Sequence, residues 1–134
     1  MVVVDASIAY KWFDEKEIDF DKADLLLEEH LSKKEPLFAP DLIVYELANA
    51  WGTKTKIGKS EALENLSAFE EANINLAGFN YNLLSKAINF SKKYEVSVYD
   101  AVYAVLAQDK GCILITADAK FADQVNLSFI KKLG

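Results

Sequence analysis

Two short runs of this chain are apolar at every position: "VVV" at Val2–Val4 and "CILI" at Cys112–Ile115. Side chains alternate faces along a strand, so a run without alternation is buried on both faces, as inside a parallel sheet with helices on each side. Parallel neighbours also need long crossovers, usually helical. Helical spacing covers "SIAYKWF" from Ser7, then about Phe20 to Lys33, with Ala23, Leu26, Leu27 and Leu31 as its stripe before "KKEP" ends it. It returns from Asp41 to about Lys56, from Lys59 to Ala72 with Ser60 as cap, from about Asn80 to Tyr94, and across "VSVYDAVYAVLAQ", Val96 to Gln108. "NINLAGF" alternates like a half-buried strand, "FAP" reads as a brief extended link, "ADAKFADQ" as a short helix and "NLSFI" as a last edge strand. The expectation is an α/β fold: a short, mostly parallel sheet of four or five strands flanked by about seven helices, with right-handed crossovers.

The 134 residues make one domain, residues 1–134, long enough to bury close to ~70% of the surface of the unfolded chain. A hydrophobic share of 51% excludes disorder, and 5 Gly and 2 Pro leave no room for long linkers. The single cysteine, Cys112, precludes an intrachain disulfide and reads as a buried structural thiol. No basic leader precedes Asp5 and no stretch is apolar enough to span a bilayer, so no membrane contact and a cytoplasmic location are expected. A net charge of −6 excludes an extended DNA-binding surface, and all 15 basic residues are lysines. Bidentate guanidinium contacts to phosphate are therefore unavailable, and any nucleic acid has to be met by lysine clusters such as Lys54, Lys56 and Lys59.

Against this apolar background four acids stand in unusual places. Asp5 follows the first strand and Asp118 the second, at the strand ends where open α/β sheets bind ligands. Each also has an ordinary use: Asp5 as cap of the next helix, Thr116 as cap with Asp118 in the first turn. Asp100 opens the apolar helix, where Ser97 and Asp100 match the S-x-x-D capping box. Glu46 has no such role, because Leu42, Ile43, Leu47, Ala50 and Trp51 place it within the apolar arc of its helix. A carboxylate there needs a partner. His30, the sole histidine, lies among solvated acids and reads as a surface residue, which leaves a lysine or a cation.

Two carboxylates about 4 Å apart repel by ~4 kcal/mol at an effective dielectric near 20. A helix N-terminus returns only about 0.3 to 1 kcal/mol to each. A cluster of Asp5, Glu46, Asp100 and Asp118 would therefore protonate in part or hold a divalent cation. An all-oxygen set without His or Cys favours Mg²⁺ or Mn²⁺ over zinc.

"VVVDAS", "PDLIVYELANAW", "VSVYDAVYAVLAQ" and "LITADAKF", in this order, resemble the PIN-domain nucleases, and specifically the VapC-like toxins of type II toxin–antitoxin pairs, over essentially the whole chain. The resemblance implies a PIN-like three-layer fold and an acidic pocket of Asp5, Glu46, Asp100 and Asp118, which are its metal ligands and catalytic residues, with Asp5 and Asp100 the principal ligands. It matches Ser7 and Thr116 to hydroxyl positions that place substrate, and Asp123 to an additional acid of some members or to a solvated position. It further implies a Mg²⁺- or Mn²⁺-dependent endoribonuclease in which metal-activated water hydrolyses RNA, silenced by a cognate antitoxin and paired as a homodimer. The absence of arginine departs from what an RNA-cutting protein is expected to carry. The competing expectation is an inactive PIN-like interaction module whose acids are helix caps plus one lysine-paired Glu46, with Trp12, Phe13 and Trp51 as interface anchors instead of core. An aspartyl-phosphate phosphatase is disfavoured because Ser7 stands where a second Asp is wanted, and a receiver domain because no acidic pair precedes its acceptor strand.

Overall fold

The computed structural model describes residues 1–54 and 56–134. Strand β1 (Val2–Val4) leads through α1 (Ala6–Lys11) and α2 (Phe20–Leu31) to β2 (Leu37–Pro40). Helix α3 (Leu42–Asn49) passes into a π-helical turn (Ala50–Lys54), and α4 (Lys59–Ala72) leads to β3 (Asn75–Ala77). Helices α5 (Tyr81–Tyr94) and α6 (Val98–Lys110) precede β4 (Ile113–Thr116), α7 (Ala119–Val125) and β5 (Ile130–Lys132). The sheet has 5 strands in the order β3-β2-β1-β4-β5. Every pairing is parallel, with Val2 opposite Leu37 on one side and Ile113 on the other.

Val2, Val3 and Val4 are all buried, at 6%, 0% and 0% exposure, so helices cover both faces of the central strand. Helix α6 packs across β1, β2 and β4, and α5 packs on α6. That double contact is why Ala101–Ala107 are buried without interruption. The helix stops at Gly111, whose φ of +63° gives the left-handed cap that the next strand needs.

"FAP" is no mere link. It belongs to β2, an interior strand between β1 and β3, too short and too close to Pro40 to show a strand signal. The helix expected from Asp41 to Lys56 breaks at Asn49 into the π-helical turn, and α4 is capped from Gly58, not Ser60. The last strand lies at Ile130–Lys132, displaced from "NLSFI". Trp12 and Trp51 are core, at 8% and 4% exposure. The Trp12 indole donates to Ala23 O at 2.8 Å, and Phe13 meets Trp51 edge-on at 5.0 Å. Cys112 is half-buried, not buried. Among the described residues no helix is long and apolar enough to cross a membrane.

His30 is not a free surface residue. Its Nδ1 accepts from the Leu37 N–H at 2.9 Å, so the proton sits on Nε2, which meets Ala72 O at 3.0 Å. One imidazole thus ties α2 to the start of β2 and the end of α4. Leu37 is fully buried, and losing the acceptor strands its N–H. His30→Ala should lower stability by about 1 to 2 kcal/mol in chemical denaturation, and an unchanged midpoint would show that water replaces the ring.

Candidate acidic site

Strand order turns about β1: β2 lies on one side of it and β4 on the other, so the ends of β1 and β4 flank a topological switch point. Asp5 is the residue after β1 and Asp118 the N-cap of the helix after β4. Asp100 is in the first turn of α6, and Glu46 is one turn into α3.

Asp5 is buried, at 8% exposure. Its Oδ1 accepts from Ser7 N at 3.1 Å, Ile8 N at 3.3 Å and Ser7 Oγ at 2.5 Å, and its Oδ2 accepts from Thr116 Oγ1 at 2.5 Å. The same hydroxyls face the opposite corner: Ser7 Oγ accepts from Ala117 N at 2.9 Å and Thr116 Oγ1 from Asp118 N at 3.0 Å. The two corners are thereby laced across the sheet. Burial pushes the Asp5 carboxyl up to about 6, opposed by Ser7, Thr116 and Ile8 and reinforced by Asp100.

Asp100 is the acid within electrostatic reach of each of the other three. Burial raises the Asp100 carboxyl, Asp118 raises it further, and Ser97 opposes. Burial also raises Glu46, with Asp100 adding to the shift, while Tyr103 and Lys54 stabilise the charge. The partner that Glu46 requires is Tyr103, whose hydroxyl donates to Oε1 at 2.6 Å. Tyr103 lies three residues after Asp100, on the same face of α6. Burial and the charges of Glu46, Asp5 and Asp100 hold its phenol far above the ordinary tyrosine range. In sequence Tyr103 is one more apolar position of the run Val96 to Gln108, and nothing there marks its hydroxyl.

The structure brings Asp5, Glu46, Asp100 and Asp118 within electrostatic reach as pairs centred on Asp100. Among the described residues no three acidic, histidine or cysteine side chains lie close enough to enclose an ion as they stand. The set is all oxygen, and among the described residues Asp5 Oδ2 accepts one bond where Oδ1 accepts three, so the donors suit a hard cation in kind. Ser7 and Thr116 direct their hydroxyls at Asp5; Thr116 is fully buried. Capping is real as well: Asp5 caps α1, Asp118 accepts from Phe121 N at 3.0 Å, and the Ser97 hydroxyl accepts from Asp100 N at 3.0 Å. Asp118 itself, not Thr116, is the cap of α7. Asp123 is exposed and paired with Lys132 at 2.8 Å. Lys54, Lys56 and Lys59 are exposed, and of these Lys54 is close enough to act on Glu46.

A parallel, three-layer α/β domain with carboxylates gathered at its switch point is a recognisable class. The chain matches the family model described as PIN domain over residues 2–126, and it belongs to that family. Among solved structures it is similar to PAE2754 from Pyrobaculum aerophilum, at 21% identity over 98% of this chain and 90% of that one, with a TM-score of 0.70. It is similar to VapC20 of Mycobacterium tuberculosis, described as a sarcin-ricin loop cleaving toxin, at 13% identity over 98% of both chains and a TM-score of 0.75. It also resembles VapBC2 from Rickettsia felis, described as bound to a DNA fragment of its promoter, at 18% identity over 100% of both chains and a TM-score of 0.75. At these identities the likeness establishes the fold. No curated protein matches the chain in sequence.

The raised Asp5 carboxyl has a sign that can be measured. The folded chain holds this proton more tightly than the unfolded one, so the contribution is full below the unfolded value of 3.8 and is lost as pH rises through about 6. It amounts to on the order of 3 kcal/mol. Asn keeps the capping acceptor and removes the charge. In chelator, wild-type stability should therefore fall from about pH 4 to about pH 6, and Asp5→Asn should flatten that fall and be neutral or stabilising at pH 7. A loss of a kcal/mol or more at pH 7 would show that the hydrogen bonds outweigh the charge.

Proposed function

We propose that this chain is a Mg²⁺- or Mn²⁺-dependent endoribonuclease, the toxin of a toxin–antitoxin pair, acting in the cytoplasm as a homodimer and restrained by a cognate antitoxin. The observation that carries this is the convergence of Glu46, Asp5 and Asp118 on Asp100 at the switch point. Toxins and toxin complexes among the similar folds support the toxin and its antitoxin partner. Asp5, Glu46, Asp100 and Asp118 would hold the cation. When bound, it would lower the pKa of water and neutralise phosphate charge. The residues divide the remaining work. Ser7 and Thr116 fix the Asp5 carboxylate, Asp100 joins the acids, and Glu46 or Asp118 orients the attacking water. RNA would offer its unpaired segments, the part most open to direct readout.

The competing module, with acids serving as caps, gains from the capping bonds of Asp5 and Asp118. It needs a lysine for Glu46; Lys54 does favour that charge, but the side chain that bonds Glu46 is Tyr103. This acid is mid-helix, caps nothing, and carries its burial cost beside another carboxylate.

A labelled RNA panel separates the two. The wild type should cut with Mg²⁺ or Mn²⁺ and stop in chelator, and Asp100→Asn should lose at least ~100-fold in rate, several kcal/mol of transition-state stabilisation. In the same buffers the metals should raise the melting temperature of the wild type but not of Asp100→Asn. A folded wild type that neither cuts nor shifts would favour the module.

A further inference from the structure

We infer that Tyr103 is a positioning residue of the acidic site, holding one oxygen of Glu46 so that the other is presented to a divalent cation. The inference rests on the metal reading above and concerns a side chain that reading does not use.

Glu46 lies on a half-buried helix face and Tyr103 on the helix that covers the sheet. The hydroxyl donates to Oε1 at 2.6 Å across the seam between α3 and α6. A glutamate has three rotatable bonds, and with nothing to hold it beside Asp100 it would turn away from a like charge. One short bond from a fixed donor prevents that, and among the described residues Oε2 accepts no hydrogen bond. The donor is well fixed: Tyr103 is 2% exposed, within the buried run Ala101–Ala107. At that burial it cannot reach substrate, so any effect on the reaction passes through the carboxylates. Its position is coupled to Asp100, because the two lie on one face of one helix. Rotation of α6 would move the central acid and the donor together.

Partners behind a ligand typically set 10- to 100-fold in metal affinity. The test is a double-mutant cycle read by the thermal shift of full-length protein against Mg²⁺ and Mn²⁺. Tyr103→Phe keeps the buried ring and removes only the hydroxyl. Its apparent metal Kd should rise ~10- to 100-fold while the metal-free protein still unfolds cooperatively. In a Glu46→Gln background the same substitution should change the Kd less than ~3-fold, because the ligand it serves is gone. A metal shift in the wild type left unaltered in Tyr103→Phe overturns the inference alone. An equal loss in both backgrounds overturns it too, showing a structural role for the hydroxyl. A wild type without a metal shift overturns the reading on which it rests, and the inference with it. If Tyr103→Phe does not fold, Tyr103→Leu takes its place, read in the same two backgrounds: a ~10- to 100-fold rise in Kd confined to the chain with Glu46 supports the inference, and an unchanged Kd or an equal rise in both overturns it.

Discussion

The carboxylate of Asp5 is the point on which the site and the fold both depend. Four donors converge on it from α1 and from the end of β4, and they tie together two strands that are far apart in sequence. Without that knot, the corners after β1 and β4 would keep only the ladder between the strands and the bond from Ala117 N to Ser7 Oγ. The knot is costly, since it buries a charge and raises the carboxyl to about 6. The two oxygens of this carboxylate have different surroundings. Oδ1 serves the backbone of α1, while Oδ2 meets only the hydroxyl of Thr116.

A cluster of like charges needs a frame that cannot relax around it. The larger cost to Asp5 is burial, with the charge of Asp100 adding to it, and a helix N-terminus returns only a small part of such a cost. The frame comes from apolar burial: fully buried Val3, Val4, Leu37 and Leu114 in adjoining strands, and the run Ala101–Ala107 laid across them. Removing a buried Leu side chain from such a core costs roughly 2 to 5 kcal/mol, comparable to the repulsion between one close pair of acids. The sheet and α6 can therefore hold Asp5 and Asp100 where neither would rest by its own preference.

What could be read from the sequence followed pattern length. The continuous runs at Val2–Val4 and Cys112–Ile115 needed no tertiary knowledge, because only a doubly covered strand tolerates them. "FAP" failed because four residues ending in proline carry no periodicity, and its place between β1 and β3 is fixed by neighbours distant in sequence. The break of α3 into a π-helical turn falls at Ala50 and Trp51, where the apolar spacing of α3 still holds, so that spacing does not mark it. His30 was misread for a related reason. Surrounding acids describe the exposed face of α2, whereas the imidazole turns back to meet Leu37 and Ala72.

The acids were legible because burial is improbable for them; Tyr103 was not, because a tyrosine in an apolar helix looks like packing. Its hydroxyl is the part that pattern analysis discards. Yet a mid-helix glutamate in a chain without arginine demands a donor, and the spacing from Asp100 to Tyr103 supplies one on the very face where the acids meet. Four carboxylates present acceptors and no hydrogen, so their mutual arrangement needs neutral groups that donate without adding charge. Ser7, Thr116 and Tyr103 are three such groups, and each bonds to an acid of the cluster. A lysine in any of these places would neutralise an acid of the cluster; a hydroxyl orients the oxygen and leaves the charge in place.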